Sequence, residues 1–257
     1  MTLMTLLIGL CAGILVGLLG IGGGVVLVPA MVHLLHLDQH AAQGTSLFVL
    51  LPPIGLGALL EYRKKGDVDF RAGILCALGM LFGGYVGGLI AVPMPTVRLT
   101  QLFGVFLMIS ALLLWGKASK PAPSLQSPMR AKPDMNKTIG FFLAGIVGGV
   151  ASGMFGIGGG IVLVPIFGLF LAFDQHKAQG TSLVALIPPT GLLAVIAYAR
   201  AGYVYWITGA LLIPGLFFGG ILGAKIAKNI EPRRMRQVFA VLLFLLGAWQ
   251  VFGTWKR

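Results

Sequence analysis

Charge is what this chain mostly lacks. Asp, Glu, Lys and Arg make up 10% of its 257 residues. Residues 1–60 hold no Lys or Arg, and their only carboxylate is Asp38. None of the four residue types occurs in 72–97, 99–116, 138–173, 178–199, 201–224 or 237–255. With 57% hydrophobic residues, that excludes a water-soluble domain, whose composition is roughly a quarter charged. Uncharged runs of about 20 residues match a hydrocarbon core about 30 Å thick. The chain therefore reads as an all-α polytopic membrane protein.

Cysteine is almost as scarce. Cys11 and Cys76 cannot build a disulfide framework, and they fall opposite Val147 and Leu212 in the internal repeat described below. They read as small apolar fillers, so no metal and no cofactor is expected. The start, "MTLMTLLIGLCAGILVG", has no basic segment before its apolar run, and its repeat copy lies mid-chain. A removable signal peptide is not expected. The charge that remains is one-sided, with Lys+Arg 19 against Asp+Glu 7 and a formal net charge of +12. These cations sit in short connectors, as the positive-inside bias requires. No basic stripe with interleaved aromatics occurs, so nucleic acid is not an expected partner.

The chain is a tandem repeat. Shifted by 136 residues, "GIGGGVVLVP" (20–29) meets "GIGGGIVLVP" (156–165), and "DQHAAQGTSL" (38–47) meets "DQHKAQGTSL" (174–183). "GMLFGGYVGG" (79–88) meets "GLFFGGILGA" (215–224), and Arg98, Gln101 and Phe103 meet Arg234, Gln237 and Phe239. Such self-similarity is a mark of transporters. Residues 1–116 form the first membrane repeat and 138–257 the second. Between them, 117–137 is basic and Pro-rich and reads as an extramembrane linker.

Charge placement favours inverted repeats. If each half makes an odd number of crossings, fifteen of the nineteen cations share the cytoplasmic side. They are Arg63–Lys65 with Arg71, the five linker cations, Lys177, and the five between Lys225 and Arg236. Only Arg98, Arg200, Lys256 and Arg257 lie outside. Four crossings per half give a weaker split of 12 to 7. An odd number requires broken or re-entrant helices, and the expectation is 8–10 transmembrane segments including them. Residues 25–36 would make only about 18 Å of helix, too short to span. The Gly-Thr-Ser step is expected to start a discontinuous helix, which Pro52-Pro53 then bends or breaks. Such backbone survives at membrane depth only inside protein or beside a watery cavity.

Helix N-termini bind anions through free N–H groups and the positive end of the dipole. Thr45 and Ser46 are read as N-cap or N1 residues, with Gly44 permitting close approach and Gln43 and Gln39 adding donors. Gln175, Gln179, Gly180, Thr181 and Ser182 repeat the set. Two such termini converging near the midplane would hold a small oxyanion without a buried cation. The plainer reading is that these hydroxyls only bond neighbouring backbone. Gly22, Gly23, Gly158 and Gly159 either contact the ligand or let backbones pack closely. No Lys in P-loop spacing follows "GIGGG", which speaks against nucleotide. The glycines at 83, 84, 87 and 88, and at 219, 220 and 223, read as helix-packing faces.

Asp38, His40, Asp174 and His176 are candidates for proton coupling, with helix capping at the aqueous interface as the alternative. His33, His36 and His40 share helical spacing, but the first two fall opposite Leu169 and Ala172, which argues against a metal site. Glu61 stands beside Arg63–Lys65 as an ion-pair partner. No nucleophile elbow or paired carboxylate supports catalysis, so the protein is not read as an enzyme.

The paired "GIGGG…VP" and "QGTS…PP" elements resemble the TauE/SafE family of sulfite exporters, also called the toluene-sulfonate uptake permease group. The resemblance covers nearly the whole chain outside the linker. It implies a bacterial cytoplasmic (inner) membrane protein, multi-pass, that moves small sulfur-containing or organic anions by secondary transport. Export is the expected direction, because a cell negative inside already favours anion exit by about 2.3 kcal/mol per charge per 100 mV. Uptake by the same scaffold, an anion channel, and a subunit serving a cytoplasmic enzyme are the competing readings. Expected partners are the lipid bilayer and a small anionic substrate, with a homodimer left open.

Overall fold

The computed structural model describes residues 2–19, 23–53, 55–118, 135–171, 173, 175–187, 190–227 and 232–253. Among them are twelve helices and no strand. The first six are α1 (Thr2–Leu19), α2 (Gly24–Leu34), α3 (Gln39–Val49), α4 (Leu56–Lys64), α5 (Phe70–Ala91) and α6 (Thr96–Ala118). The others are α7 (Met135–Phe155), α8 (Gly160–Phe170), α9 (Gln175–Leu186), α10 (Leu192–Arg200), α11 (Trp206–Ala227) and α12 (Pro232–Gly253). The bounds of α2, α4 and α5 recur at α8, α10 and α11 after the same 136-residue shift. Residues 119–134, most of the expected linker, lie outside the described residues.

Each repeat holds three long helices and three short ones. The long helices run 18 to 23 residues, and four of the six are long and apolar enough to cross a membrane. These four are 70–91, 96–115, 138–155 and 206–223. The short helices have 9 to 12 residues. Eleven residues rise about 17 Å, roughly half of a hydrocarbon core. Pro52 and Pro53 fall in the gap between α3 and α4, where a residue without an N–H cannot carry the helix on. Their counterparts, Pro188 and Pro189, lie outside the described residues.

The long helices cross between repeats, not within them. Gly79, Gly83 and Gly87 of α5 face the carbonyls of Phe142, Ile146 and Val150 of α7. Gly145, Gly149 and Gly153 of α7 face those of Cys76, Met80 and Gly84 in return. The same arrangement joins α1 to α11, through Gly9 and Gly13 on one side and Gly215, Gly219 and Gly223 on the other. A Cβ at any of these positions would lie under 3.0 Å from a backbone oxygen. Lipid offers no hydrophobic force to press helices together, so close backbone approach does the work. Gly84 and Gly88 face α10 instead. The third crossing, α6 on α12, is made by Gly104 and Gly247, each against the other's carbonyl.

The short helices α2 and α8 fill space inside this frame, whereas α4 is largely exposed. Val25, Leu27, Val28 and Met31 of α2 are fully buried in a core shared with α1, α6, α11 and α12. Leu163 and Phe167 of α8 are buried in a second core with Cys76, Met80 and Ala144. Ile74, Phe82, Val238 and Leu245 lie exposed on the outer faces of the long helices, where a bilayer would cover them.

Candidate functional site

The α3 helix begins earlier than expected. Asp38 Oδ1 accepts from the N–H groups of His40 (2.8 Å) and Ala41 (3.1 Å), so the first helical residue is Gln39. A carboxylate that satisfies two orphan N–H groups fixes the helix start more firmly than Gly44 can. The Gly44-Thr45-Ser46 step therefore sits inside the helix, and the expectation that it forms an N-terminus is corrected. The same holds for Gly180-Thr181-Ser182, which lies inside α9.

The step serves as a docking face for the opposite repeat. Thr45 Oγ1 accepts from the Tyr205 N–H at 3.0 Å, and Ser46 Oγ donates to the Gly156 carbonyl at 2.8 Å. Gly44 leaves room for the Tyr203 carbonyl and the Tyr198 side chain. In the second copy, Thr181 Oγ1 accepts from the Asp69 N–H at 3.0 Å, and Gly180 makes room for the Asp67 carbonyl and Tyr62. Ser182 instead donates within its own helix, to the Gln179 carbonyl at 2.8 Å. Two phenols complete the pattern. Tyr198 donates to Gln43 Oε1 at 3.1 Å, and Tyr62 donates to Gln179 Oε1 at 2.9 Å. Neither tyrosine was singled out in the sequence, although they stand at the repeat's own 136-residue offset.

The helix starts behind the Gly-rich segments are those of α2 and α8; like the starts of α4 and α10, they carry no side-chain cap. The N-cap residues of α2 and α8 are Gly23 and Gly159. Gly156, Gly158 and Gly159 have φ of 71°, 76° and 81°, a region open to glycine at little cost. The loop they form lies against the Gln43 backbone, and Gly24 abuts the Gly156 carbonyl and Ile157. One Gly-rich loop thus meets the start of the short helix from the other repeat. Gly22 lies outside the described residues.

Gln39, Gln43 and Ser46 occupy one face of α3, since four and three residues are each about one helical turn. Their exposures are 2%, 0% and 0%. Among the described residues, Gln39 Nε2, Gln39 Oε1 and Gln43 Nε2 have no hydrogen-bond partner. Gln179 is half-buried, and the Gln175 side chain lies outside the description.

The two histidines of the repeat differ. His40 is 3% exposed, stacks on Tyr203 at 4.8 Å, and places Nε2 3.1 Å from the Ala91 carbonyl and Nδ1 3.4 Å from Thr96 Oγ1. His176 is exposed, with its ring 6.4 Å from Tyr62. Asp38 is an exposed cap, and Asp174 lies outside the described residues. His33 stacks face to face on Trp249 at 4.1 Å. Among the described residues no group of three His, Cys, Asp or Glu could hold a metal ion. Glu61 pairs with Lys64 at 3.1 Å on the exposed end of α4.

The comparisons agree in kind with this architecture. The family model described as Sulfite exporter TauE/SafE matches residues 5–249. A Bacillus subtilis protein named "Probable membrane transporter protein YunE" is 28% identical, over 95% of this chain and 95% of its own length. A Xylella fastidiosa (strain Temecula1) protein named as a membrane transporter is 30% identical, over 99% of this chain and 98% of its own. A transporter-named protein of the archaeon Methanocaldococcus jannaschii is 29% identical, over 96% and 94%. No solved structure matches the chain.

Proposed function

We propose, from the premise that this chain belongs to the TauE/SafE sulfite exporter family of membrane transporters, that it carries small sulfur-containing anions out of the cell. The observation that carries this reading is the duplicated cross-repeat contact, Tyr198 to Gln43 and Tyr62 to Gln179. It joins α3 of one repeat to α10 of the other, and α9 to α4, and the first of these contacts lies beside the loop that starts α8. A carrier needs two such faces, so that one can part while the other stays shut.

The contacts support inverted repeats in the cytoplasmic membrane. Tyr62 ties the Arg63–Lys65 end of α4 to the α9 start that holds Lys177. His40 joins the α3 start to the α6 start near Arg98, and Tyr198 joins it to the α10 end at Arg200. That grouping suits the division of fifteen cations inside from four outside, and it opposes a division that parts Lys177 from Arg63.

The substrate reading rests on uncharged donors. Two helix starts and the buried amides of α3 offer N–H groups to an oxyanion, with no Lys or Arg on α2, α3 or α8. Anion exit then follows the membrane potential. The test is counterflow: purified protein in liposomes loaded with unlabelled sulfite, with labelled sulfite outside. Saturable uptake of label, driven by internal sulfite and abolished without it, is expected. Flux that does not saturate and is indifferent to internal sulfite would make the protein a channel. No flux of sulfite or methanesulfonate would sink the substrate class.

A further inference from the structure

We propose that Gln39 and Gln43 of α3 form a charge-selecting subsite that takes a singly charged sulfur oxyanion, hydrogensulfite or a small sulfonate, over a dianion of the same shape. The inference rests on the transporter reading above and narrows its substrate class.

Three buried amide atoms define the subsite: Gln39 Nε2, Gln39 Oε1 and Gln43 Nε2, each without a partner among the described residues. A buried polar atom left unpaired is costly, and in native structures such atoms nearly always meet protein, water or ligand. Here they line up one turn apart on a single face, with the loop that starts α8 against Gln43. Tyr198 holds the other end of Gln43. Its hydroxyl lies 3.1 Å from Gln43 Oε1 and 3.2 Å from the Met154 carbonyl, which fixes the amide and turns its NH₂ away as a donor.

What the subsite lacks decides its charge preference. No Lys or Arg lies on α2, α3 or α8, and the cations of the neighbouring helix ends, Arg98 of α6 and Arg200 of α10, are exposed whereas Gln39 and Gln43 are buried. His40, the next residue along, turns its ring to Ala91 and Thr96. Asp38 is exposed, and its carboxylate bonds the first turn of α3. A site made of neutral dipoles attracts an anion in proportion to its charge. The cost of taking the anion out of water rises with the square, so a dianion costs about four times what a monoanion does. Dipoles offset the first far better than the second. Gln39 Oε1 further suits an anion that keeps one proton to donate.

The test compares two ions alike in size and headgroup but different in charge. Labelled sulfite counterflow in proteoliposomes at fixed pH is challenged with methanesulfonate, a monoanion, and with sulfate, a dianion. The expected result is that methanesulfonate inhibits at a concentration at least tenfold lower than sulfate. The Gln39→Met variant, close in shape, is expected to raise KM for sulfite at least tenfold and to erase that preference. Equal inhibition by both ions overturns the proposal, as does a Gln39→Met protein with wild-type KM and selectivity, which would leave Gln39 to a buried water. If the variant fails to fold, melting of the wild type in detergent decides. Methanesulfonate should raise the transition more than equimolar sulfate, and equal shifts overturn the subsite. Wild-type sulfite counterflow with failed selectivity leaves the transporter reading intact. Absence of both counterflow and ligand-induced shift removes the two together.

Discussion

The Tyr62 hydroxyl stands 2.9 Å from Gln179 Oε1 across 117 residues of chain, and the same bond recurs at 3.1 Å between Tyr198 and Gln43. The two copies differ in depth. Tyr198 is fully buried, whereas Tyr62 and Gln179 are half-buried. Removing a hydroxyl strands an amide oxygen, and the penalty grows with burial. Tyr198→Phe should therefore destabilise by about 1–3 kcal/mol and Tyr62→Phe by well under half of that. Thermal melts of the two purified variants measure the difference, and equal shifts would contradict it.

The glycine seams predict a sharp positional contrast. Gly83→Ala drives a methyl into the Ile146 carbonyl and should cost several kcal/mol or prevent folding. Gly57, on exposed α4, meets nothing within 4 Å. Gly57→Ala should stabilise by about 0.5–1 kcal/mol. Yield of monodisperse protein and melting temperature would separate the two.

The histidines of the repeat are not equivalent partners. His40→Ala deletes a buried ring with contacts to Ala91, Thr96 and Tyr203, and a loss of about 1–3 kcal/mol is expected. His176→Ala, on an exposed position, should stay within about 0.5 kcal/mol. Acylation by diethylpyrocarbonate should follow the same order, fast at His176 and slow at His40.

Asp38→Ala removes the acceptor for two N–H groups at the start of α3 and should cost about 1 kcal/mol. Asp38→Asn retains an acceptor oxygen and should recover most of the loss. A melt series of the three proteins tests the cap.

Membrane sidedness can be read with single cysteines introduced after Cys11 and Cys76 are replaced by Ala. Lys64→Cys and His176→Cys should react with an impermeant maleimide from one side of the membrane, and Arg98→Cys and Arg200→Cys from the other. All four positions are exposed. Labelling of Lys64→Cys and His176→Cys from opposite faces would refute inverted repeats.

Much of this architecture was legible because it is periodic. The 136-residue shift anticipated which helices recur, and small residues at four-residue spacing marked the seams of α5 and α11. The start of α3 was misread for a specific reason. Gly44 signals a helix end locally, but it is kept by the Tyr203 carbonyl of the other repeat, a contact far away in sequence. Asp38 carried the true start signal, and the capping read for it from the sequence is what the structure has. Tyr62 and Tyr198 carry no signal of their own, since Tyr62 stands in the charged stretch "EYRKK" and Tyr198 in an apolar run where it looks like core. Their matched spacing was the available clue, and it gains meaning only once each is seen beside a glutamine of the opposite half.

The crossings of α1 with α11 and of α5 with α7 have a consequence for biosynthesis. Each backbone seam joins segments made at different times on the ribosome. α1 enters the bilayer while its partner is still some 200 residues from being translated. Neither half can close its own seams, so the nascent first half must wait in the lipid, glycine stripes bare, until the second arrives. Expressed as two separate chains, the halves should be degraded alone and rescued only when made together.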